Sequence, residues 1–275
     1  MSSTRVVRWG ISVLGAVAMV TLLSSTASAQ VAVTGGLDVA NQYNFRGIRQ
    51  NIDGVSIWPY FDIGVPAYKG DGGLKSVSVN FGMWNALHSE LDDNKWYEAD
   101  YYAVLGLGFG GGVSLGTTYT SYTSPADLWA HIKEVAFKLA VDDSAALGKG
   151  ALKPYAVVAF ELTDDGQADA GAGKGTYIEL GVAPGYAGSK ASLAVPIKIG
   201  LSGKDYYEFG TGTDDKFGYF SIAGVVTVPM GAHANIHGGV EFQKFGDNLK
   251  SYNGFGDDHD SASTGIMSVG VGFAF

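Results

Sequence analysis

From Val33 onward, apolar and polar residues alternate with a period of two rather than the 3.6 of a helix, which gives an extended segment one greasy and one wet face. Val33, Leu37, Val39, Tyr43 and Phe45 fall on one face, and Thr34, Asp38, Gln42, Asn44 and Arg46 on the other. The same split predicts strands over Val55–Val65, Val77–Met83, Tyr97–Phe109, Val113–Thr123 and Trp129–Val141. It resumes through Tyr155–Leu162, Tyr177–Val182, Ser192–Ser202, Phe220–Val228, Ala234–Gln243 and Met267–Phe275, twelve strands in all.

An even number of strands, each about ten residues long with one apolar face, predicts an all-β fold: an antiparallel transmembrane up-and-down β-barrel of about twelve strands. The connections agree. Ala86–Lys95, Thr163–Gly175, Ser202–Lys216 and Phe245–Ser263 are the four longest and all are odd-numbered, whereas Gly110–Gly112, Ala187–Ser189 and Met230–Gly231 are tight and even-numbered. Long and short ends therefore fall on opposite rims, as in barrels with long outer loops and short periplasmic turns. Asp142–Gly150 and Ala67–Gly73 are long for the short-turn rim.

Composition sharpens this picture. Glycine, 41 of 275 residues, is about twice as frequent as average, which favours turns and smooth strands. With no cysteine there is no disulfide framework, zinc-thiolate cluster or lipid-anchored N-terminal cysteine. The net charge of −9, with 18 Lys and Arg, argues against nucleic acid as a partner. Arg5 and Arg8 ahead of the apolar run Ile11–Leu23, with Ala27-Ser28-Ala29 before Gln30, read as a cleaved signal peptide over residues 1–29. Residues 30–275 then form one barrel domain. The four long loops hold fourteen of the 27 acidic residues against five basic ones, and none has the spacing of a calcium loop.

Three stretches, NQYNFRGIRQ at Asn41–Gln50, EADYYAVLG at Glu98–Gly106 and GVSLGTTYTSYTSPADLWAHIKEVAFKLA at Gly112–Ala140, resemble the TorF family of porins, proteobacterial outer-membrane barrels of uncharacterised substrate. The most specific element is Tyr43-x-Phe45-Arg46-Gly47, followed by the Glu98 and Tyr101 pair. The resemblance implies an outer-membrane barrel with a porin-like role and supplies no catalytic motif or named solute. The C-terminal pattern Val269, Val271, Phe273, Phe275 is similar to that of outer-membrane proteins in general, which implies handling by the barrel-assembly machinery through Phe275.

On the predicted alternation, the inner face carries Asp38, Asp62, Glu98, Asp100, Glu134, Glu161, Glu179 and Glu241 against Arg46, Lys138, Lys153 and Lys198. Excess carboxylate would either focus a potential that concentrates cations or pair across the lumen and narrow the bore. Gly82, Gly106, Gly181, Gly239, Gly270 and Gly272 share this face and leave room; Trp84, Tyr102 and Tyr177 would narrow it. Arg46 stands out because its guanidinium can bridge carboxylates or meet an anionic group, with strand-two or strand-twelve neighbours as the ordinary partners. Trp58, Trp84, Trp96, Trp129, Tyr119, Tyr122, Tyr186 and Phe275 lie near strand ends, where aromatic girdles are expected.

Two apparent motifs carry no chemistry. Gly106-Leu-Gly108-Phe-Gly110-Gly111 matches a dinucleotide fingerprint but crosses a turn with no helix after it. His233 and His237 stand about 13 Å apart on a strand, too far for one metal ion. The sequence therefore predicts no cofactor, no metal and no catalytic site. Its expected partners are outer-membrane lipid, lipopolysaccharide and small hydrophilic solutes passing by diffusion with a mild cation preference. The alternatives are a barrel hydrolase using His131 with Ser121, Ser124 and Asp127, and a non-conducting structural or adhesive barrel whose loops carry Tyr206, Tyr207, Tyr252 and Phe255.

Overall fold

The computed structural model describes residues 31–275 except 52, 165, 172, 211 and 255–260. The predicted signal segment and Phe255 lie outside the described residues.

The strands are β1 (Ala32–Ala40), β2 (Asn44–Phe45), β3 (Ile48–Arg49), β4 (Ser56–Lys69), β5 (Leu74–His88), β6 (Trp96–Phe109), β7 (Val113–Thr123) and β8 (Ile132–Val141). After a one-turn helix α1 (Ser144–Leu147) come β9 (Tyr155–Glu161), β10 (Thr176–Val182), β11 (Gly185–Ala187), β12 (Ser192–Ala194), β13 (Ile197–Lys204), β14 (Phe217–Met230) and β15 (Ala234–Phe245). Helix α2 (Asp247–Asn253) precedes the last strand, β16 (Ser263–Ala274).

Twelve staves close into an antiparallel barrel: β1, β4 to β10 and β13 to β16, with β1 bonded on one side to β4 and on the other to β16. Closure leaves no open edge among the twelve staves, an edge that hydrocarbon would penalise by several kcal/mol per unpaired group. Pro184 and Pro196, which lack an N–H for the ladder, flank the short hairpin β11–β12, and β12 pairs with β14 in line with β13.

Alternation sorts the residues as the sequence requires. Leu37 (41% exposed), Phe61 (37%) and Val271 (52%) point outward. Asp38, Asp62, Glu98, Asp100, Glu134, Glu161 and Glu241 are buried within the barrel. An apolar belt outside and carboxylates inside invert the arrangement of a soluble protein, as a membrane barrel demands.

Several expectations change. β4 runs on to Lys69, so the turn Gly70–Gly73 is short after all, and β5 is longer at both ends than predicted. The sixth stave begins at Ile132 rather than Trp129. Trp58, Trp84 and Tyr122 are buried in the lumen rather than placed in a girdle, because their parity matches Asp62, Asn80 and Thr120 on their strands. Trp96, Tyr119, Tyr186 and Phe275 do face outward, each more than a third exposed.

Four of the inner glycines do not create empty space. Gly36, Gly82, Gly181 and Gly200 stand directly opposite Tyr60, Tyr102, Tyr155 and Tyr219 in the register. A Cβ at any of the four would collide with that tyrosine. Each tyrosine therefore lies flat along the wall across its glycine partner, so Tyr102 narrows the bore less than its size suggests.

Candidate functional site

The lumen has two tiers. Near the short turns the inner positions are small or polar: Ser76, Ser78, Asn80, Gly106, Gly108, Ser114, Gly116 and Thr118 succeed one another on β5, β6 and β7. A Cβ at Gly116 would meet nothing within 4 Å. Near the long loops the same staves carry Trp84, Ala86 and His88, then Glu98 and Asp100, then Thr120 and Tyr122.

That upper tier is filled by the segment between β1 and β4. β1 stops at Ala40, and the chain turns into the barrel instead of continuing as a stave. β2 and β3 form a minimal hairpin whose two turn residues, Arg46 (φ 50°) and Gly47 (φ 85°), both have positive φ, as a type I′ turn requires. A Cβ on Gly47 would press against Leu249 of α2 and Tyr219 of the wall, about 3.0 Å away. Only glycine fits so tight an approach at that φ.

Arg46 sits on this tip, 9% exposed, and its guanidinium reaches across the lumen to β8. It donates to both oxygens of Glu134 at 2.6 and 2.7 Å and to the Tyr206 hydroxyl at 2.8 Å. Its Cζ lies 4.2 Å from the centre of the Tyr177 ring and 5.4 Å from that of Tyr206. Burial alone would lower the Arg46 pKa, but the facing Glu134 carboxylate outweighs it and holds the group well above its ordinary value. The expected partners on strands two or twelve are thus replaced by one on the sixth stave, because the residue projects from an inward loop and not from the wall.

Other loops lock the hairpin. Tyr207 Oη donates to the Arg46 carbonyl at 2.9 Å, and Asn253 Nδ2 donates to the Gly47 carbonyl at 2.7 Å. Asn44 Nδ2 donates to Gln243 Oε1 at 2.8 Å, and Tyr97 Oη to Gln50 Oε1 at 2.5 Å. Tyr43, expected on the outer face of the first strand, instead packs among Trp58, Trp84 and His88, ring centres 5.7, 5.1 and 6.1 Å away. The loop Asp205–Lys216 that supplies Tyr206 and Tyr207 is tied by Asp214, whose Oδ2 accepts from Ser202 Oγ, the Asp205 N–H and Lys216 Nζ at 2.8, 3.0 and 2.6 Å. Partial burial works against the Asp214 charge, yet the bonds from Lys216 and Ser202 hold its carboxyl below the ordinary range. Asp169 accepts from the N–H groups of Glu208 and Phe209, but burial prevails and pushes its carboxyl up.

The remaining sequence-predicted lining residues divide as follows. Asp38, Asp62, Glu98, Asp100, Glu134, Glu161, Glu179 and Glu241 all lie on strands of the wall, as do Lys138 and Lys198. Lys153 does not: its φ of 51° and its N–H bond to Asp143 Oδ1 (3.0 Å) place it in the turn before β9. That bond also lowers the Asp143 pKa. With Arg46 on the inserted hairpin, the wall itself bears eight carboxylates against two lysines, a greater imbalance than parity alone indicated. Lys198 Nζ lies 3.4 Å from Glu179, and Lys138 lies over the Tyr155 ring at 4.3 Å.

Asp38 and His237 meet at 2.5 Å across β16, where both are paired with Gly270. A Cβ on Gly270 would occupy the space between them. His233 instead caps the Ala274 carbonyl at 2.9 Å and stacks on Phe275. Gly106–Gly111 runs from β6 into the hairpin turn. Ser121 Oγ lies 2.7 Å from His131 Nε2 at the exposed rim.

No protein-family model matches the chain, and no curated protein matches it. Among solved structures, an outer membrane channel from Pseudomonas putida F1 superimposes with a TM-score of 0.55 at 12% identity, covering 92% of this chain and 97% of its own. The NanC porin gives 0.44 at 12% identity (89% and 99% covered), and the outer membrane phospholipase A of Escherichia coli gives 0.46 at 12% (87% and 92%). The chain therefore has the fold of outer-membrane β-barrels. A fold of this kind carries many functions, so the function has to be argued from the lumen.

Proposed function

We propose that the protein is an outer-membrane diffusion channel for small hydrophilic solutes, cation-preferring, with a gate formed by the segment between β1 and β4. The observation that carries this reading is the wall's excess of carboxylate over lysine, which focuses a negative potential along the bore once the plug withdraws. The resemblance of Asn41–Gln50, Glu98–Gly106 and Gly112–Ala140 to TorF-family porins supports it. On this reading residues 1–29 direct export, Phe275 is read by the barrel-assembly machinery, the apolar belt meets lipid and lipopolysaccharide, and the protein is not an enzyme.

Purified protein in a planar bilayer should conduct, and a salt gradient should give a reversal potential of cation-selective sign. Anion selectivity would contradict the reading. A second reading, a non-conducting surface barrel, is favoured by the filled upper tier. It predicts no conductance from the unaltered chain at any voltage.

A further inference from the structure

The contacts around Arg46 describe a recognition site as much as a tether. Glu134 offers one oxygen to each Nη of the guanidinium, Tyr206 accepts a third bond, and the Tyr177 ring centre lies 4.2 Å from Cζ. A planar fork of N–H donors above an aromatic ring is the geometry that separates a guanidinium from an ammonium ion. Glu134, Tyr177 and Tyr122, whose hydroxyl lies 3.4 Å from Glu134 Oε1, belong to the wall, whereas Arg46 arrives on a separate hairpin. The Glu134 and Tyr177 sides of the cage would therefore outlast withdrawal of its occupant, with Tyr206 supplied by the loop Asp205–Lys216. Glu161 lies directly opposite Glu134 in the register, so a cation leaving the cage meets another carboxylate at once.

We propose that the Glu134–Tyr177–Tyr206 cage is a binding site for free guanidinium-bearing solutes, and that Arg46 is its tethered occupant. Such solutes compete with Arg46 and loosen the plug. The transport consequence rests on the channel reading; the binding does not.

The test uses the full mature barrel in detergent micelles, with unheated gel mobility reporting that each variant is folded. By calorimetry, Arg46→Ala should bind ethylguanidinium at least about tenfold more tightly than ethylammonium. Adding Glu134→Gln should abolish that preference, and the unmutated barrel, its cage occupied, should bind ethylguanidinium more weakly than Arg46→Ala does. Should the alanine variant not fold, Arg46→Gln, whose shorter polar side chain stops short of the guanidinium position, takes its place. Equal affinity for the two cations, or no binding by a folded variant, overturns the proposal. Conductance is recorded separately in bilayers: if every variant is silent while the binding preference persists, the channel reading falls and the cage stands.

Discussion

The two tiers of the lumen are built on the same staves, in the same parity, with opposite side chains. Toward the short turns β5, β6 and β7 present serine, glycine, threonine and asparagine; toward the long loops they present tryptophan, tyrosine, histidine and carboxylates. The difference shows that a barrel of fixed strand number can set its bore locally. In the upper tier, bulky wall groups and an inserted hairpin share one packed, hydrogen-bonded core, with Tyr206, Tyr207 and Tyr219 at most 1% exposed. In the lower tier, small and polar side chains line the staves and the wall stays thin.

The comparison can be broken most forcefully at Glu134. Replacing it by alanine leaves the Arg46 guanidinium buried without its counter-ion, a loss of about 3–5 kcal/mol when one partner of a buried pair is removed. The upper tier should come apart first. Thermal unfolding of the variant should begin at lower temperature, and bilayer conductance should rise; unchanged values for both would mean that the pair holds nothing.

Glycine substitutions sharpen the contrast. Gly82→Ala drives a methyl group into the Tyr102 ring and should cost about 1–3 kcal/mol as an overpacked site. Gly116→Ala, with open space around it, should be neutral or stabilising by up to about 1 kcal/mol, since it only removes glycine's extra chain entropy. Denaturation midpoints of the two variants decide; a similar loss in both would remove the distinction between covered and open inner glycines.

Acid should act on the upper tier through Asp214. Its carboxyl is held below the ordinary carboxylate range, so the stabilisation it gives its loop is present above that range and lost as pH falls through its folded value. Limited proteolysis within Asp205–Lys216 should accelerate on acidification below the ordinary carboxylate range. Asp214→Asn should be cleaved at nearly the same rate at both pH values. The smallest expected effect is that of Lys153→Ala: with the residue in a turn rather than on the wall, the reversal potential should not move.

Parity carried most of this architecture. The outward placement of Leu37, Phe61 and Val271 and the inward placement of the wall carboxylates follow from alternation alone. The same alternation places Trp84 on the inner face, and the register of Trp58 with Asp62 points inward too, against the girdle position that its nearness to a strand end suggests. The inward turn after Ala40 was not legible, because Tyr43 and Phe45 continue the parity of Val33, Leu37 and Val39 without interruption. What diverts the chain is tertiary: an aromatic niche at Trp58 and Trp84, a counter-charge at Glu134, and hydrogen bonds from Tyr207 and Asn253, which come from loops far along the sequence. Lys153 misled for the opposite reason, since its parity matched Tyr155 but its backbone had not yet entered the strand.

The account depends on the hairpin being a plug in an otherwise wet, acidic bore. Ala40 and Ser56 are paired across β1 and β4, so residues 42–50 can be replaced by a short Gly–Ser turn that keeps this pairing. Planar-bilayer recording of that chain beside the unaltered one is the direct measurement. The predicted result is a larger, steadily open conductance with cation-selective reversal in the shortened chain; equal conductance in the two chains, or an anion-selective pore, would contradict it.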